Sequence, residues 1–317
     1  MKPASELIRN ETLPSRTGSG VKHEFQSRRL TPIGRPSWLP ESVWPFSTSS
    51  IEVEGSRIAV TECGQGPVLL FVHTGMWSFI WRDVMLRLSA DFRCVCFDAP
   101  GTGQSERLPR REIKLERAAR VTTQVIEQLG LADLTLVVHD LGGISGIAGA
   151  ARFPERVRGL CAVNAFAWRP TGSLFRGMLA LMGSGAVREI DAQTGLLARI
   201  TATWFGVGRH LDQASRRAFL AGIGRDGLRA FHSYLGDARR CEALYEEIGR
   251  ALAGQFRGLP LLTIFGERND PLGFQKRWKQ LFPQARQVLV TKGNHFPMCD
   301  DPEFVANNIR DWHRDFV

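Results

Sequence analysis

The sequence predicts an α/β fold, a mostly parallel sheet flanked by helices and interrupted by an all-helical insertion. Three observations carry that prediction. Short apolar, β-branched runs alternate with helical stretches from about residue 50 to Asn164. Between residues 165 and 256 the pattern becomes helical throughout, with glycine-rich joints at Gly183-Ser-Gly185 and Gly222-Ile-Gly224, and strands resume at Leu259. A chain of 317 residues has room for one such core and an insertion. The expected organisation is an N-terminal arm over residues 1–48, a core formed by 49–164 and 257–317, and a helical cap over 165–256.

In chain order, the first 45 or so residues are rich in Ser, Thr, Pro, Arg and Gly and lack periodicity. They are expected to form an extended arm with disordered parts. Trp38 and Trp44, set among Pro36, Pro40 and Pro45, would anchor its end to the body. Ile51–Val60 alternates like a hairpin. Phe92-Arg-Cys-Val-Cys-Phe97 reads as a strand with Cys94 and Cys96 on one face, in the core. Leu134-Thr-Leu-Val-Val-His-Asp-Leu-Gly-Gly143 is an apolar strand ending in a tight turn, and Ile144–Phe153 reads as the helix that follows. Two further buried strands, Leu259–Gly266 and Gln287–Thr291, run into Glu267-Arg-Asn-Asp-Pro271 and Lys292-Gly-Asn-His-Phe-Pro297.

Composition excludes several function classes. The formal charge is +9, but the arginines are scattered without aromatic interleaving, so no nucleic-acid partner is expected. Six cysteines without paired zinc spacing read as reduced thiols, with neither a disulfide framework nor a metal site. No apolar run approaches the length that crosses a bilayer, and the N-terminus lacks a secretory stretch. Stable membrane insertion is therefore not expected, and a cytoplasmic location is the default. Oligomeric state is not readable. No cofactor is implied.

The chemistry concentrates at the elbow. A strand-to-helix turn of the small-x-nucleophile-x-Gly type pushes its central side chain out of the sheet, and here that side chain is Asp140. A carboxylate attacks a saturated, electrophilic carbon better than it performs acyl transfer. Nucleophile, acid and histidine should follow in that chain order, each past a strand end, which selects Asp270 and His295 as orienting acid and base. The backbone N–H of Leu141 is one expected oxyanion donor, and that of Thr74 or Gly75 is the other. His73 and His139 are expected to orient loops or fill space.

With these blocks in view, residues from roughly 50 to 317 resemble the α/β-hydrolase superfamily, and within it the haloalkane dehalogenase and epoxide hydrolase group. Phe71–Arg82 is similar to the oxyanion-loop block, Phe97–Ser105 to the turn after the next strand, and His139–Gly143 to the elbow. Val163-Asn-Ala165, Asp270-Pro-Leu-Gly273 and Gly293-Asn-His-Phe296 resemble dehalogenase blocks in which the acid follows the late strand. Two departures stand out. Dehalogenases of the group carry a halide-binding Trp where this chain has Leu141, and epoxide hydrolases usually have His-Gly-x-Pro where it has His73-Thr-Gly-Met76.

The resemblance implies an alkyl-enzyme ester on Asp140, hydrolysed by a water that His295 activates, with a small apolar electrophile and water as the partners. It also implies a cap tyrosine donating to an epoxide oxygen. The chain has two tyrosines, and Tyr234 is the better candidate because Tyr245 lies in a charged, surface-like helix. Trp77 and Trp168 are candidate pocket residues, and Thr74, Asn164 and Trp168 are candidate donors should the leaving group be a halide. Epoxide opening is expected slightly ahead of dehalogenation, because it needs only the backbone N–H at Leu141. The reading from another class is a non-catalytic, ligand-binding relative.

Overall fold

The structure is a computed structural model that describes residues 30–317. Nine strands form one sheet: β1 (Thr31–Pro32), β2 (Thr48–Val53), β3 (Ser56–Cys63), β4 (Val68–His73), β5 (Arg93–Phe97), β6 (Leu134–Asp140), β7 (Val157–Ala165), β8 (Leu261–Gly266) and β9 (Arg286–Val290). Their order is β1-β2-β3-β5-β4-β6-β7-β8-β9. The first three run antiparallel, and the six from β5 to β9 are parallel. Every residue of β4 and β8 is buried, as a parallel sheet covered on both faces requires.

Alternation along the strands divides the core. Leu70 and Val72 of β4 face a cluster with α2 (Leu115–Gln128) and α3 (Gly142–Ala150). Leu69 and Phe71 face the opposite cluster with α1 (Arg82–Leu88) and α11 (Pro302–Phe316). Cys94 and Cys96 both enter this second cluster, and all six thiols are free. β2 and β3 form the expected hairpin, turned by Glu54 and Gly55 at φ +50° and +72°.

Between β7 and β8 the chain is helical throughout: α4 (Ser173–Met182), α5 (Gly185–Thr194), α6 (Leu196–Thr201), α7 (Gln213–Asp237, kinked at Gly224) and α8 (Glu242–Ala253). α8 differs from the expected cap boundary. It packs on α3, and its Leu244, Ile248 and Leu252 join the core cluster. β7 and β8 are parallel neighbours and need a crossover helix on the sheet face, which α8 supplies. Tyr245 is accordingly buried and not on the surface, its hydroxyl donating to the Ala238 carbonyl. After β8 come α9 (Phe274–Leu281) and the short α10 (Pro297–Asp300).

The described part of the arm is packed on the body. β1 pairs with β2, and Leu39, Val43 and Trp44 are buried. Trp38 and Trp44 lie against Trp77, with ring centroids 5.4 and 5.7 Å away. Of the arm expected to be partly disordered over residues 1–48, residues 1–29 lie outside the described residues. Among the described residues no helix is long and apolar enough to cross a membrane, and no cluster of side chains has a metal-ligand arrangement.

Candidate active site

Asp140 ends β6 at the point where its ladder with β7 slips by one residue. Its φ of +48° is the left-handed region, a strain of roughly 1–3 kcal/mol that a non-glycine residue accepts where the surroundings impose it. The surroundings are tight. A Cβ at Gly142 would stand 2.3 Å from the Val72 carbonyl oxygen, and one at Gly143 2.2 Å from that of Phe166. Only glycine lets α3 start this close to the sheet, and the Asp140 carboxylate is left at the strand end, 18% exposed.

His295, in the loop after β9, brings Nε2 to 3.5 Å from Asp140 Oδ2. Its backbone carbonyl is gripped twice, by His139 Nε2 and by Asn164 Nδ2, each at 2.9 Å. Asn164 also donates to the Asn294 carbonyl and accepts from the Gly266 N–H, so it ties the ends of β7 and β8 to the histidine loop. That amide is fully engaged in holding backbone.

The Nδ1 side of His295 differs from the sequence expectation. Its partner is Asn269, whose Nδ2 lies 3.1 Å away. Asp270 instead accepts from the Phe274 N–H at 2.6 Å and the Gln275 N–H at 2.9 Å, at the start of α9. Burial raises its pKa, and these backbone hydrogen bonds oppose the rise. The correction has a simple cause: the N–H groups at a helix start lack intrahelical acceptors, and an aspartate just ahead of them is captured as their cap. The residue one position earlier then faces the imidazole. Asp-Pro-Leu-Gly before an amphipathic run was the signal that could have revealed it.

Behind Asp140, two buried histidines form a chain of hydrogen bonds with one consistent proton assignment. His139 Nε2 faces only a carbonyl and must donate. Its Nδ1 therefore accepts from His73 Nδ1 at 3.1 Å, and His73 Nε2 accepts from the Met76 N–H at 3.2 Å. Both rings are neutral. Burial lowers the pKa of His73 to about 4, and burial aided by the neighbouring His295 and His73 lowers that of His139 well below its ordinary value.

The α/β hydrolase fold family model matches residues 67–302. Haloalkane dehalogenase 2 of Mycobacterium tuberculosis is 31% identical over 276 residues, covering 84% of this chain and 95% of its own. The chain belongs to the α/β-hydrolases, in the haloalkane dehalogenase and epoxide hydrolase group. A cis-3-alkyl-4-alkyloxetan-2-one decarboxylase of Xanthomonas campestris is 26% identical, covering 84% of this hydrolase and 96% of its own chain. The crystal structure of an epoxide hydrolase from Vigna radiata shares the fold with a TM-score of 0.69 at 19% identity, covering 86% of the hydrolase and all of its own chain.

The expected leaving-group donors of the hydrolase are engaged elsewhere. The Tyr234 hydroxyl is fully buried and donates to the Pro100 carbonyl at 2.8 Å, so it does not offer its proton to the site. Trp77 donates to the Phe219 carbonyl at 3.2 Å. Trp168 is wedged against Phe274 and Trp278 beneath the Arg277 guanidinium, and it borders a surface cleft with Arg169 and Glu242. In the oxyanion loop, Thr74 Oγ1 pairs with Ser145 Oγ at 2.6 Å, and Met76 N–H is held by His73. Gly75 has φ +120°, and a Cβ there would meet the Phe231 ring of α7 at 2.8 Å, so α7 roofs this loop.

The histidine loop is also tied to the helical insertion. Asn294 Nδ2 donates to the Trp204 carbonyl, Arg209 to the Lys292 carbonyl and His210 Nε2 to the Asp300 carbonyl. Sequence reasoning missed Asn269 and these ties. Loop carbonyls and side-chain amides carry no periodic signal.

Proposed function

We propose that this hydrolase displaces a halide from a small apolar alkyl halide through a covalent ester on Asp140, with the α4–α7 insertion acting as the cap over the site. The observation that carries the choice of leaving group is the commitment of Tyr234 to Pro100. Opening an epoxide places charge on an oxygen that needs a proton donor. A departing halide needs no proton.

In the first step an Asp140 oxygen attacks carbon, the carbon–halogen bond breaks and halide leaves. In the second, His295 removes a proton from water, the resulting hydroxide attacks the ester carbonyl, and the N–H groups of Leu141 and of Thr74 or Gly75 receive the oxyanion. Collapse releases the alcohol and restores Asp140, and His295 returns the proton to solvent.

Asn269 holds His295 through Nδ1. As placed, the Asn269 Nδ2 donates to Nδ1, which leaves the proton on Nε2; turning the amide over so that Oδ1 accepts from Nδ1–H frees Nε2 to serve as the base. Unlike a carboxylate, the amide adds no charge to stabilise the imidazolium, so ester hydrolysis is the slow step.

The test is turnover of bromoalkanes and epoxides side by side, together with intact-protein mass spectrometry of His295→Gln. Halide release and a substrate-sized adduct on Asp140 are expected. Efficient epoxide turnover without halide release would replace the leaving group in this scheme. Absence of any adduct would favour the ligand-binding reading.

A further inference from the structure

Among the described residues, eight of the fifteen exposed large apolar side chains fall between Leu174 and Phe205. α4 turns Leu174, Met178 and Leu181 outward on one stripe, with Leu174 77% and Leu181 63% exposed. Ile190 projects from α5, and Leu196 and Ile200 project one turn apart from α6. Trp204 and Phe205 complete the run as a stacked pair, centroids 3.7 Å apart. Between residues 171 and 205 the exposed charged side chains are Arg176, Arg199 and Glu189, and the Glu189 carboxylate, its side chain 45% exposed, is already paired with Arg188 and Arg229.

We propose that this face of the insertion docks on the surface of an anionic phospholipid bilayer. An exposed apolar surface of this extent marks an interaction site. Its charge selects the occupant: apolar side chains flanked by Arg176 and Arg199, with the one exposed acid, Glu189, already neutralised by Arg188 and Arg229, complement an acidic lipid surface, and the chain as a whole carries +9. A second copy meeting the same face would bring Arg176 and Arg199 of both copies together, with Glu189 already committed to Arg188 and Arg229 and no unpaired acid to meet them. α4, α5 and α6 are each 10 residues or fewer, so they lie in the interface and do not cross it. Aromatic rings such as Trp204 and Phe205 settle at the headgroup level.

The face ends beside the site. The Trp204 carbonyl accepts from Asn294, the neighbour of His295, and the His295 side chain is 34% exposed. Resting on the proposed hydrolase reading, docking would open the site toward the phase in which small apolar electrophiles concentrate. Docking itself does not depend on that reading.

Flotation of the full chain with vesicles tests it directly, without reference to turnover. Wild type should float with vesicles of equal parts phosphatidylcholine and phosphatidylglycerol at low salt, and it should stay behind with phosphatidylcholine alone. Each arginine near such a surface contributes roughly fivefold to partitioning. Arg176→Gln with Arg199→Gln should therefore bind about 25-fold more weakly, and Leu174→Ser/Leu181→Ser/Ile190→Ser should lose binding at an unchanged Tm. The proposal fails if wild type remains in the aqueous fraction, or if binding survives both sets of substitutions. It also fails if the serine variant instead abolishes a concentration-dependent self-association that wild type shows without lipid.

Discussion

At the scale of single residues, the Nδ1 of His295, the proposed base, faces Asn269 in place of a carboxylate. An amide can fix an imidazole tautomer but cannot offset its positive charge, and the reverse loss of an aspartate from a serine protease triad costs about 10⁴ in rate. Asn269→Asp should accelerate ester hydrolysis by roughly tenfold or more. Pre-steady-state kinetics should show the wild-type burst of halide release shrinking in the variant. Asp270→Asn, by contrast, weakens a helix cap worth about 1 kcal/mol and should lower Tm with little effect on rate. A large loss of kcat at full stability would return Asp270 to the role the sequence suggested. The approach of His295 to Asp140, 3.5 Å apart, was legible because strand, turn and chain order all point at this pair. The partner on Nδ1 was not, because choosing between adjacent Asn269 and Asp270 depends on where α9 begins.

At the scale of elements, the strands and the tight turn at Asp140 follow from the sequence, since buried β-branched runs and the Gly142-Gly143 pair have few alternative readings. The role of individual helices was less legible: α7 and α8 both carry many apolar residues, yet α8 covers the sheet and α7 roofs the loop at Gly75. The elbow gives a sharp expectation. Gly143→Ala would set a methyl group 2.2 Å from the Phe166 carbonyl oxygen, and rigid backbone on both sides leaves little room to yield. Overpacking of this kind costs about 1–3 kcal/mol or more. Calorimetry should show a clear fall in Tm, and the displaced Asp140 should alkylate more slowly. A variant as stable and as active as wild type would mean that α3 does not approach the sheet this closely in solution.

At the scale of the whole molecule, the two neutral histidines behind Asp140 couple folding to pH. His73 titrates near 4 when folded and near 6.5 when unfolded, so between those values the unfolded chain takes up a proton that the folded one refuses. The stability it contributes is complete above about pH 6.5 and is lost as pH falls toward 4, by roughly 3 kcal/mol at the lower end. His139, depressed in the same direction, adds to the loss. Denaturant midpoints measured at steps through that window should fall steadily, and His73→Gln should flatten the part of the slope that His73 supplies. An unchanged slope would place the acid sensitivity elsewhere.

Two hydrogen bonds join the loop that carries His295 to the segment from Trp204 to His210, and a third links His210 to Asp300 at the end of α10. A lid hinged freely over a reaction centre would open without disturbing that centre, but this insertion is fastened to the loop that carries His295. Amide hydrogens of residues 291–296 and 204–210 should therefore exchange with solvent as one cooperative unit, with a shared opening free energy and a shared response to denaturant. If so, the moment of greatest access to the site is also the moment when His295, the proposed base, is least well placed, and each turnover of the proposed scheme must include a reclosing step before water can be activated.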